Sequence, residues 1–451
     1  MMSNADGSAL LFSASDLRRM AVPLFFEQLL LLLVGAADTF MVSFAGEAAV
    51  SGVSLVNMLV VFVIYLFTAL ASGGAVIVSQ YIGCGSRDKA NLAAGHLLTL
   101  SLLLSFALTA AVLAFNEPLL RFMFGRVEAE VMASCAVYQR IVACSFPALA
   151  VYNAGAALCR SVGRTDVTFR ISLASNLLNV AGNAVGIFVL RAGVAGVAWP
   201  TFVSRVFSAG AALWLCCDAS LPAFFERKHV CAWNGAMAVR IFRIAVPNGS
   251  DAGAFQLTKV ALSSVTALFG TAQIAANGIA QSFWSLAALG TTVMGPVYIT
   301  VIGRCMGAGD AQQADYYFRR LTKLTLLLSS AWNALVLAAV PPVIRLYPLA
   351  PEVVRMTVLL VLLHNVFNAL VFPFAGGLPN GLRACGDVRF TMLVSLFATL
   401  VVRLGLTFVF AVMMDLGVYG IAWAMCADWT VRAVLCFWRW KSGIWKRFKV
   451  V

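Results

Sequence analysis

Charged residues are scarce in this sequence: Asp, Glu, Lys and Arg make up 11% of its 451 residues. A soluble domain carries about a quarter charged residues, because a surface in contact with water must be polar. The scarcity excludes a soluble enzyme, and a hydrophobic fraction of 61% excludes a disordered chain. A β-barrel would show short alternating segments, whereas the apolar runs here are continuous and long enough for helices. The sequence therefore predicts an all-α integral membrane protein.

Several chemical motifs are also missing. The chain has no Walker A loop, and its 11 cysteines include no CxxC pair. Metal-dependent or serine hydrolase motifs such as HExxH and GxSxG are absent as well. ATP hydrolysis, zinc binding and a disulfide framework are therefore not expected, and neither is a cofactor. The start of the chain shows no signal-peptide pattern, since Arg18 and Arg19 lead directly into a long apolar run.

Apolar runs of about 20 residues are the pattern of spanning helices. Turn signals rich in Gly, Pro, Asn and Asp separate these runs. Twelve spans are predicted, near 20–42, 51–79, 92–115, 133–158, 167–190, 194–217, 243–267, 274–302, 321–344, 353–380, 390–413 and 417–438.

The basic residues are distributed unevenly between the two sets of loops. Of the 32 Lys and Arg residues, 22 lie in the termini and in the loops on the side of the termini, five lie in the opposite loops and five within spans. Basic loops stay in the cytoplasm. This distribution predicts a multi-pass protein of the plasma membrane with both termini cytoplasmic. The net charge of +13 has the same explanation, so nucleic acid is not an expected partner.

The second half of the chain repeats the first at an offset of 224 residues. Gly193–Trp199 (GVAGVAW) matches Gly417–Trp423 (GVYGIAW), and the AVP at residues 21–23 matches the AVP at 245–247. At the same offset Glu27 matches Asp251, and at an offset of 223 the RSVG at residues 160–163 matches the RACG at 383–386. Because each copy has an even number of spans, both have the same orientation in the membrane.

The repeat predicts two parallel six-helix lobes, at residues 1–217 and 240–451, joined by a cytoplasmic linker at residues 218–239. Two lobes around a central cavity are typical of secondary transporters that work by alternating access. Each chain contains both lobes, so the protein is expected to function as a monomer in the lipid bilayer.

The sequence resembles the multidrug and toxic compound extrusion (MATE) family over residues 15–440. The resemblance is carried by the spacing of Pro23 and Asp38, the VSQYIG at residues 78–83, the RSVG loop and the two GVxGxAW segments. It implies export of drug-like, often cationic, small molecules in exchange for H⁺ or Na⁺. It also implies that the first helix bends at Pro23, which lies either in the first turn or, if the helix begins near Leu17, at a kink.

Asp38 is an acid deep in the first span with no basic residue near it in sequence. Burial disfavours a charged carboxylate, so such a group suits exchange of a proton or binding of a cation. Asn176, Asn179 and Asn183 share one face of the fifth span, which must point away from lipid. They could serve either as cation ligands or as hydrogen-bonding contacts between helices.

The resemblance places the coupling-cation site at Asp38, Asn179, Asn183 and Thr201, the residues that would hold Na⁺ if sodium is the coupling ion. Many family members carry a second aspartate where this chain has Asn183. The difference argues against a sodium site with two carboxylates and favours protonation of Asp38 alone.

Other polar residues within spans are secondary candidates. Glu27 and its copy Asp251 either guide cations or face cytoplasmic water, and Lys259 either neutralises an acid in the cavity or extends to the membrane surface. Arg205 and Arg403 have no partner nearby in sequence and are candidates to line a cavity. Asp428 and Arg432 have the i, i+4 spacing of a structural ion pair, and Arg160 and Arg383 are expected to be cytoplasmic anchors. Packing is favoured over a proton relay for His364.

Three other functions fit the sequence less well. A lipid-linked precursor flippase of the same superfamily would have more spans and a strongly basic cavity. An intramembrane enzyme would need converging catalytic groups, which the sequence does not show. A channel is disfavoured by the tandem lobes.

Overall fold

The computed structural model describes residues 10–125, 127–231, 233–345 and 349–448, and these residues contain helices and no strand. Six spans lie in the first half of the chain. They are Ala14–Ser43, Glu47–Gly83, Arg87–Ala114, the bent pair Ala129–Cys144 and Phe146–Ser161, Thr165–Ala184 with its π-helical extension Val185–Val189, and Ala195–Cys216. The short helix Asn116–Phe124 lies between the third and fourth spans, and the short helix Arg227–Cys231 lies in the linker.

Six further spans lie in the second half, and three of them are interrupted by local breaks or π-helical segments. They are Gly235–Thr266, Thr271–Ala287 continued by Leu289–Thr292 and Met294–Gly307, Ala311–Ile344, Pro351–Leu370 continued by Pro373–Gly377 and Leu378–Cys385, Val388–Met413, and Gly417–Lys441. Every predicted span therefore coincides with helix, although many helices extend several residues further than the apolar runs.

The sixth predicted span is the one that falls outside the described helices long and apolar enough to cross a membrane. Ten described helices are long and apolar enough to cross a membrane, and the fourth span becomes the eleventh if its two helices, bent by 46°, are counted together. Ala195–Cys216 has the length of a span but contains Pro200, Thr201 and Arg205, which lower its apolar character. Polar residues in a span are tolerated when they face the interior of the protein.

The chain forms two compact units, residues 18–245 and residues 1–17 with 246–451. The division differs from the expected lobe boundaries at both ends of the first unit. The segment 218–239, expected to be a separate linker, packs against the third span. There the backbone N–H of Phe224 donates to Asn91 Oδ1 at 3.0 Å, and that of Asn234 donates to His96 Nε2 at 2.7 Å.

The start of the described chain belongs to the second unit. The Tyr317 hydroxyl accepts a hydrogen bond from the Phe12 N–H at 2.8 Å and donates to the Phe12 carbonyl at 2.7 Å. The N–H of Leu11 donates to Gln313 Oε1, and the Arg304 guanidinium lies 5.5 Å from the Phe12 ring centre. This segment is too short to show a periodic pattern, so the sequence does not predict that it packs against the second unit.

Proline lies inside the first helix of each repeat. The first span begins at Ala14, nine residues before Pro23, and the seventh begins at Gly235, twelve residues before Pro247. The first-turn alternative for Pro23 is therefore wrong. Because proline removes a backbone hydrogen bond from the helix interior, both positions are points at which these helices bend easily.

The fifth and sixth spans meet at two glycines. A Cβ at Gly186 would lie 2.1 Å from the Gly196 carbonyl oxygen, and one at Gly196 would lie 2.6 Å from that of Gly186. The two backbones are thus too close for any side chain. This approach holds the fifth span, with its asparagines, against the sixth.

We expect Gly186→Ala to destabilise the protein by about 1–3 kcal/mol, because the new methyl group must push the two backbones apart. Gly210→Ala in the sixth span is the matched control: nothing lies within 4 Å of its added Cβ. The control should leave stability unchanged or slightly higher, since alanine favours helix. Thermal unfolding of the purified protein in detergent measures both. Equal melting temperatures for the two variants would contradict the close packing.

Candidate cation-coupling site

Asp38 makes a direct hydrogen bond to the fifth span. Its Oδ1 accepts from Asn183 Nδ2 at 2.8 Å. The Asn183 side chain is fully buried, and Asp38 is half-buried in the wall of a cavity. Asp38 and Asn183 are 145 positions apart in sequence. The structure brings this acid and this amide into direct contact, as the sequence predicts.

The hydrogen bonds continue from Asn183 to the sixth span. Asn183 Nδ2 also donates to Asn179 Oδ1 at 3.3 Å, and Asn179 Nδ2 donates to Thr201 Oγ1 at 3.3 Å. The Thr201 hydroxyl donates in turn to the Val197 carbonyl at 3.0 Å. Three spans of the first unit are thus connected through one polar chain that ends on Asp38.

One buried acceptor in this chain is left over. Asn183 Oδ1 has no hydrogen-bond partner among the described protein atoms. Buried amide oxygens are normally bonded, so this atom is available to a water, a cation or a protonated carboxyl.

Asn176 does not join this chain. Its Nδ2 donates to Ser172 Oγ at 3.2 Å, one turn earlier on the same helix. Asn179 and Asn183 are four residues apart and face Asp38 and Thr201, whereas Asn176 points along a neighbouring stripe of the helix. The shared asparagine face of the fifth span therefore divides into two parts.

A cavity of about 180 Å³ opens beside Asp38 within the first unit. Asp38, Thr201 and Arg205 line it together with Tyr138 and Asn57. Arg205 Nη1 donates to Ser145 Oγ at 2.8 Å, and the Tyr138 hydroxyl donates to Asn57 Oδ1 at 3.4 Å. Sequence reasoning had singled out Arg205 but missed Tyr138 and Asn57, because single polar residues in mostly apolar helices give no periodic signal.

Glu27 does not face water in this structure, contrary to one of the two expectations for it. The side chain is buried, and Oε1 accepts from Arg160 Nη2 at 2.8 Å. Thr168 Oγ1 donates to Oε2 at 2.9 Å, and the Tyr152 hydroxyl lies 3.4 Å from Oε1. Arg160 is correspondingly the ion-pair partner of Glu27, and its expected role as a surface anchor is not what the structure shows.

The second unit contains the repeat of this ion pair. Asp251 Oδ2 accepts from Arg383 Nη2 at 2.7 Å. Asp251 corresponds to Glu27 and Arg383 to Arg160, so each repeat joins an acid of its first span to an arginine in the last turn of its fourth. Because the arginine follows more than 130 residues later, no local spacing predicts the pair.

The remaining charged candidates lie in the second unit. Arg432 Nε donates to Asp428 Oδ1 at 2.8 Å, as the i, i+4 spacing predicts. Lys259 is exposed, with no carboxylate within 4.0 Å among the described residues. His364 is buried beside Trp429, with 6.4 Å between the ring centres. None of these residues belongs to the polar chain on Asp38.

Curated relatives match nearly the whole chain. The transporter YisQ of Bacillus subtilis is 26% identical over 94% of this chain and 93% of its own. A probable multidrug resistance protein, NorM, of Thermotoga maritima is 24% identical over 97% of this chain and 94% of its own. The multidrug resistance protein PmpM of Pseudomonas aeruginosa is 24% identical over 85% of this chain and 81% of its own.

Solved structures share the fold. A MATE structure in a bent conformation has a TM-score of 0.87 at 20% identity and covers 95% of this chain and 94% of its own. An outward-facing multidrug resistance MATE transporter has a TM-score of 0.88 at 21% identity, with 95% of each chain covered. The family model MatE matches residues 23–185 and 254–409, and the first of these ranges includes Asp38, Asn179 and Asn183. The chain is therefore a multi-pass membrane protein that belongs to the MATE family of multidrug efflux transporters.

Proposed function

We propose that this protein exports drug-like small molecules in exchange for a cation, and that Asp38 is the group that exchanges the cation. The observation that carries the proposal is the bond from Asn183 to Asp38, since it ties a carboxylate in a cavity to two other spans. Membership of the family and the names of its relatives support export of drug-like compounds. The internal repeat supports alternating access of two lobes as the mechanism.

The polar chain offers a way for cation exchange to alter helix packing. An ionised Asp38 accepts the Asn183 N–H. A protonated Asp38 becomes a donor, and rotation of the Asn183 amide would present Oδ1, which has no other partner among the described atoms. The first span would then change its hold on the fifth and sixth spans each time the carboxyl gains or loses a proton.

We favour H⁺ over Na⁺ as the coupling ion. The oxygens of Asp38, Asn179, Asn183 and Thr201 are all ligands that suit a hard cation. They include only one carboxylate, however, and a proton needs no further ligand. No cofactor is proposed, and one chain containing both lobes is proposed to act as a monomer.

A flippase for lipid-linked precursors and an intramembrane enzyme fit these observations less well. The match to the MatE model and the acid in the first span favour the exporter. The relatives are transporters, and the polar chain on Asp38 contains no nucleophile activated by a base.

We expect Asp38→Asn to abolish efflux driven by a cation gradient while leaving folding intact. The amide keeps the shape of the side chain but cannot exchange a proton, and removal of a buried charge does not harm stability. Transport should be measured in reconstituted vesicles with a pH gradient and a Na⁺ gradient imposed separately. Asp166→Asn, an exposed acid of the same unit, is the control and should transport normally. Efflux at the wild-type rate in Asp38→Asn would contradict the mechanism.

Asn183→Ala should weaken coupling less than Asp38→Asn, because it removes a hydrogen-bond partner and leaves the titrating group in place. Loss of one such bond to a charged group costs about 1.5–3 kcal/mol. The same vesicles measure it: efflux should fall and yet respond to the gradient. An effect of Asn183→Ala as complete as that of Asp38→Asn would instead make the amide an essential ligand.

Both termini are proposed to lie in the cytoplasm, on the basis of the 22 basic residues on their side of the membrane against five on the other. A short tag added before Met1 or after Val451 should be protected from a membrane-impermeant reagent in intact cells. Both tags should become reactive once the membrane is opened. Labelling of either tag in intact cells would overturn the orientation.

A further inference from the structure

The guanidinium of Arg403 is buried in the second unit without an oxygen acceptor. The residue is 3% exposed, and its Nε and Nη1 have no hydrogen-bond partner among the described atoms. Nη2 contacts the Met425 sulfur at 2.9 Å, a weak acceptor, and the Phe255 ring centre lies 5.6 Å away. Asp428 Oδ2 forms an ion pair with Nη1 at 3.9 Å, a distance too long for a hydrogen bond.

Arg403 occupies the place that the cation-site amide occupies in the first repeat. At the offset of 224 residues Arg403 corresponds to Asn179 and Met425 to Thr201. The contacts correspond as well, since Asn179 bonds to Thr201 and Arg403 to Met425. Leu262 stands at the position equivalent to Asp38. The second repeat has therefore lost the acid of this site and gained a fixed positive charge.

Positive charge exceeds negative charge around Arg403. Arg383 is paired with Asp251, and the Asp428 carboxylate is engaged by Arg432 at 2.8 Å. Lys259 lies one helical turn after Phe255, whose ring faces Arg403, and, in the described part of the chain, has no acid within 4.0 Å. Among the described residues Arg403 and Lys259 therefore have one neighbouring carboxylate, that of Asp428, which Arg432 also engages, and an added anion would neutralise the excess positive charge.

Aromatic rings form a wall beside this charge. Phe255, which faces the guanidinium, is 6.3 Å from Trp284, and Trp284 stacks on Trp429 at 6.1 Å between ring centres. His364 packs against Trp429, and neither of its ring nitrogens has a partner among the described atoms. Unpaired donors next to aromatic surface suit an organic molecule that carries an anionic group.

We propose that the second unit contains an anion-binding subsite in which Arg403 binds the carboxylate of an aromatic organic compound. The planar guanidinium would donate from Nε and an Nη nitrogen to the two carboxylate oxygens, and Lys259, being exposed, would attract the anion. The aromatic wall would hold the body of the compound. The inference rests on the proposed export function, because it names a class of exported substrate.

The test is equilibrium binding of 1-naphthoate to the purified full-length protein in detergent. Naphthalenemethanol, which has the same ring system without the charge, and chloride without the ring system are the comparison probes. Naphthoate should bind more tightly than the alcohol, and chloride at the same concentration should not displace it. Equal binding of naphthoate and the alcohol would overturn the proposal. Displacement by equimolar chloride would mean that the site binds inorganic anions, which also contradicts it.

Arg403→Met should weaken naphthoate binding by about 10- to 100-fold, as expected for loss of a charged hydrogen-bonding partner. Arg403→Lys keeps the charge but not the paired donors. Its affinity for naphthoate should lie between those of the wild type and Arg403→Met. Lys259→Gln changes an exposed residue for which no ion pair is seen among the described residues, so it tests the site even if the arginine variants fail to fold. It should weaken naphthoate binding several-fold and leave binding of the alcohol unchanged. Unchanged naphthoate affinity in Lys259→Gln would contradict the charge argument.

Asp38→Asn should bind naphthoate as the wild type does, because the two sites lie in different repeats. This variant separates the two claims. Loss of coupled efflux together with absence of Arg403-dependent binding would leave the exporter standing and the anion subsite refuted. Arg403-dependent binding in a protein whose efflux does not depend on Asp38 would support the anion subsite and refute the role proposed for Asp38.

Discussion

A polar group inside a bilayer must find its partner within the protein, because hydrocarbon offers none. This constraint accounts for the polar contacts that connect the spans. In the first unit Asp38 is held by Asn183, and Glu27 by Arg160. Each contact joins helices that are far apart in sequence. The groups that fix the packing therefore also respond to changes in charge. When one of them gains or loses a charge, the contact between the helices that it connects changes.

The two repeats satisfy the constraint with different chemistry. The pairs Glu27–Arg160 and Asp251–Arg383 are equivalent, so this part of the architecture is retained in both. The proposed cation site is not retained. A neutral amide of the first repeat is replaced by Arg403, and no acid stands where Asp38 would be. A titratable carboxylate in one unit and a fixed cation in the other give the protein one half suited to exchanging a cation and one half suited to an anionic group.

The sequence predicts the larger features well. The twelve spans, the all-helical class and the pairing of Asp38 with Asn183 follow from apolar length, helical periodicity and a family resemblance. Contacts that depend on the packing of distant helices do not follow. Glu27 lies on the same stripe as Asp38, and nothing local shows that Arg160 closes over it. The docking of Phe12 on Tyr317 and the packing of the linker on the third span likewise involve short segments without periodicity.

The central claim is that Asp38 alone exchanges the coupling cation, and the number of cations moved per molecule exported tests it most directly. The ratio is measured in reconstituted vesicles with opposing gradients of cation and substrate. It is given by the pair of gradients at which net transport stops. With a single carboxylate in the polar chain of the first unit and Arg403 at the place equivalent to Asn179 in the second, the account predicts one cation per molecule. A ratio of two or more would show that a second group exchanges cations and would contradict it.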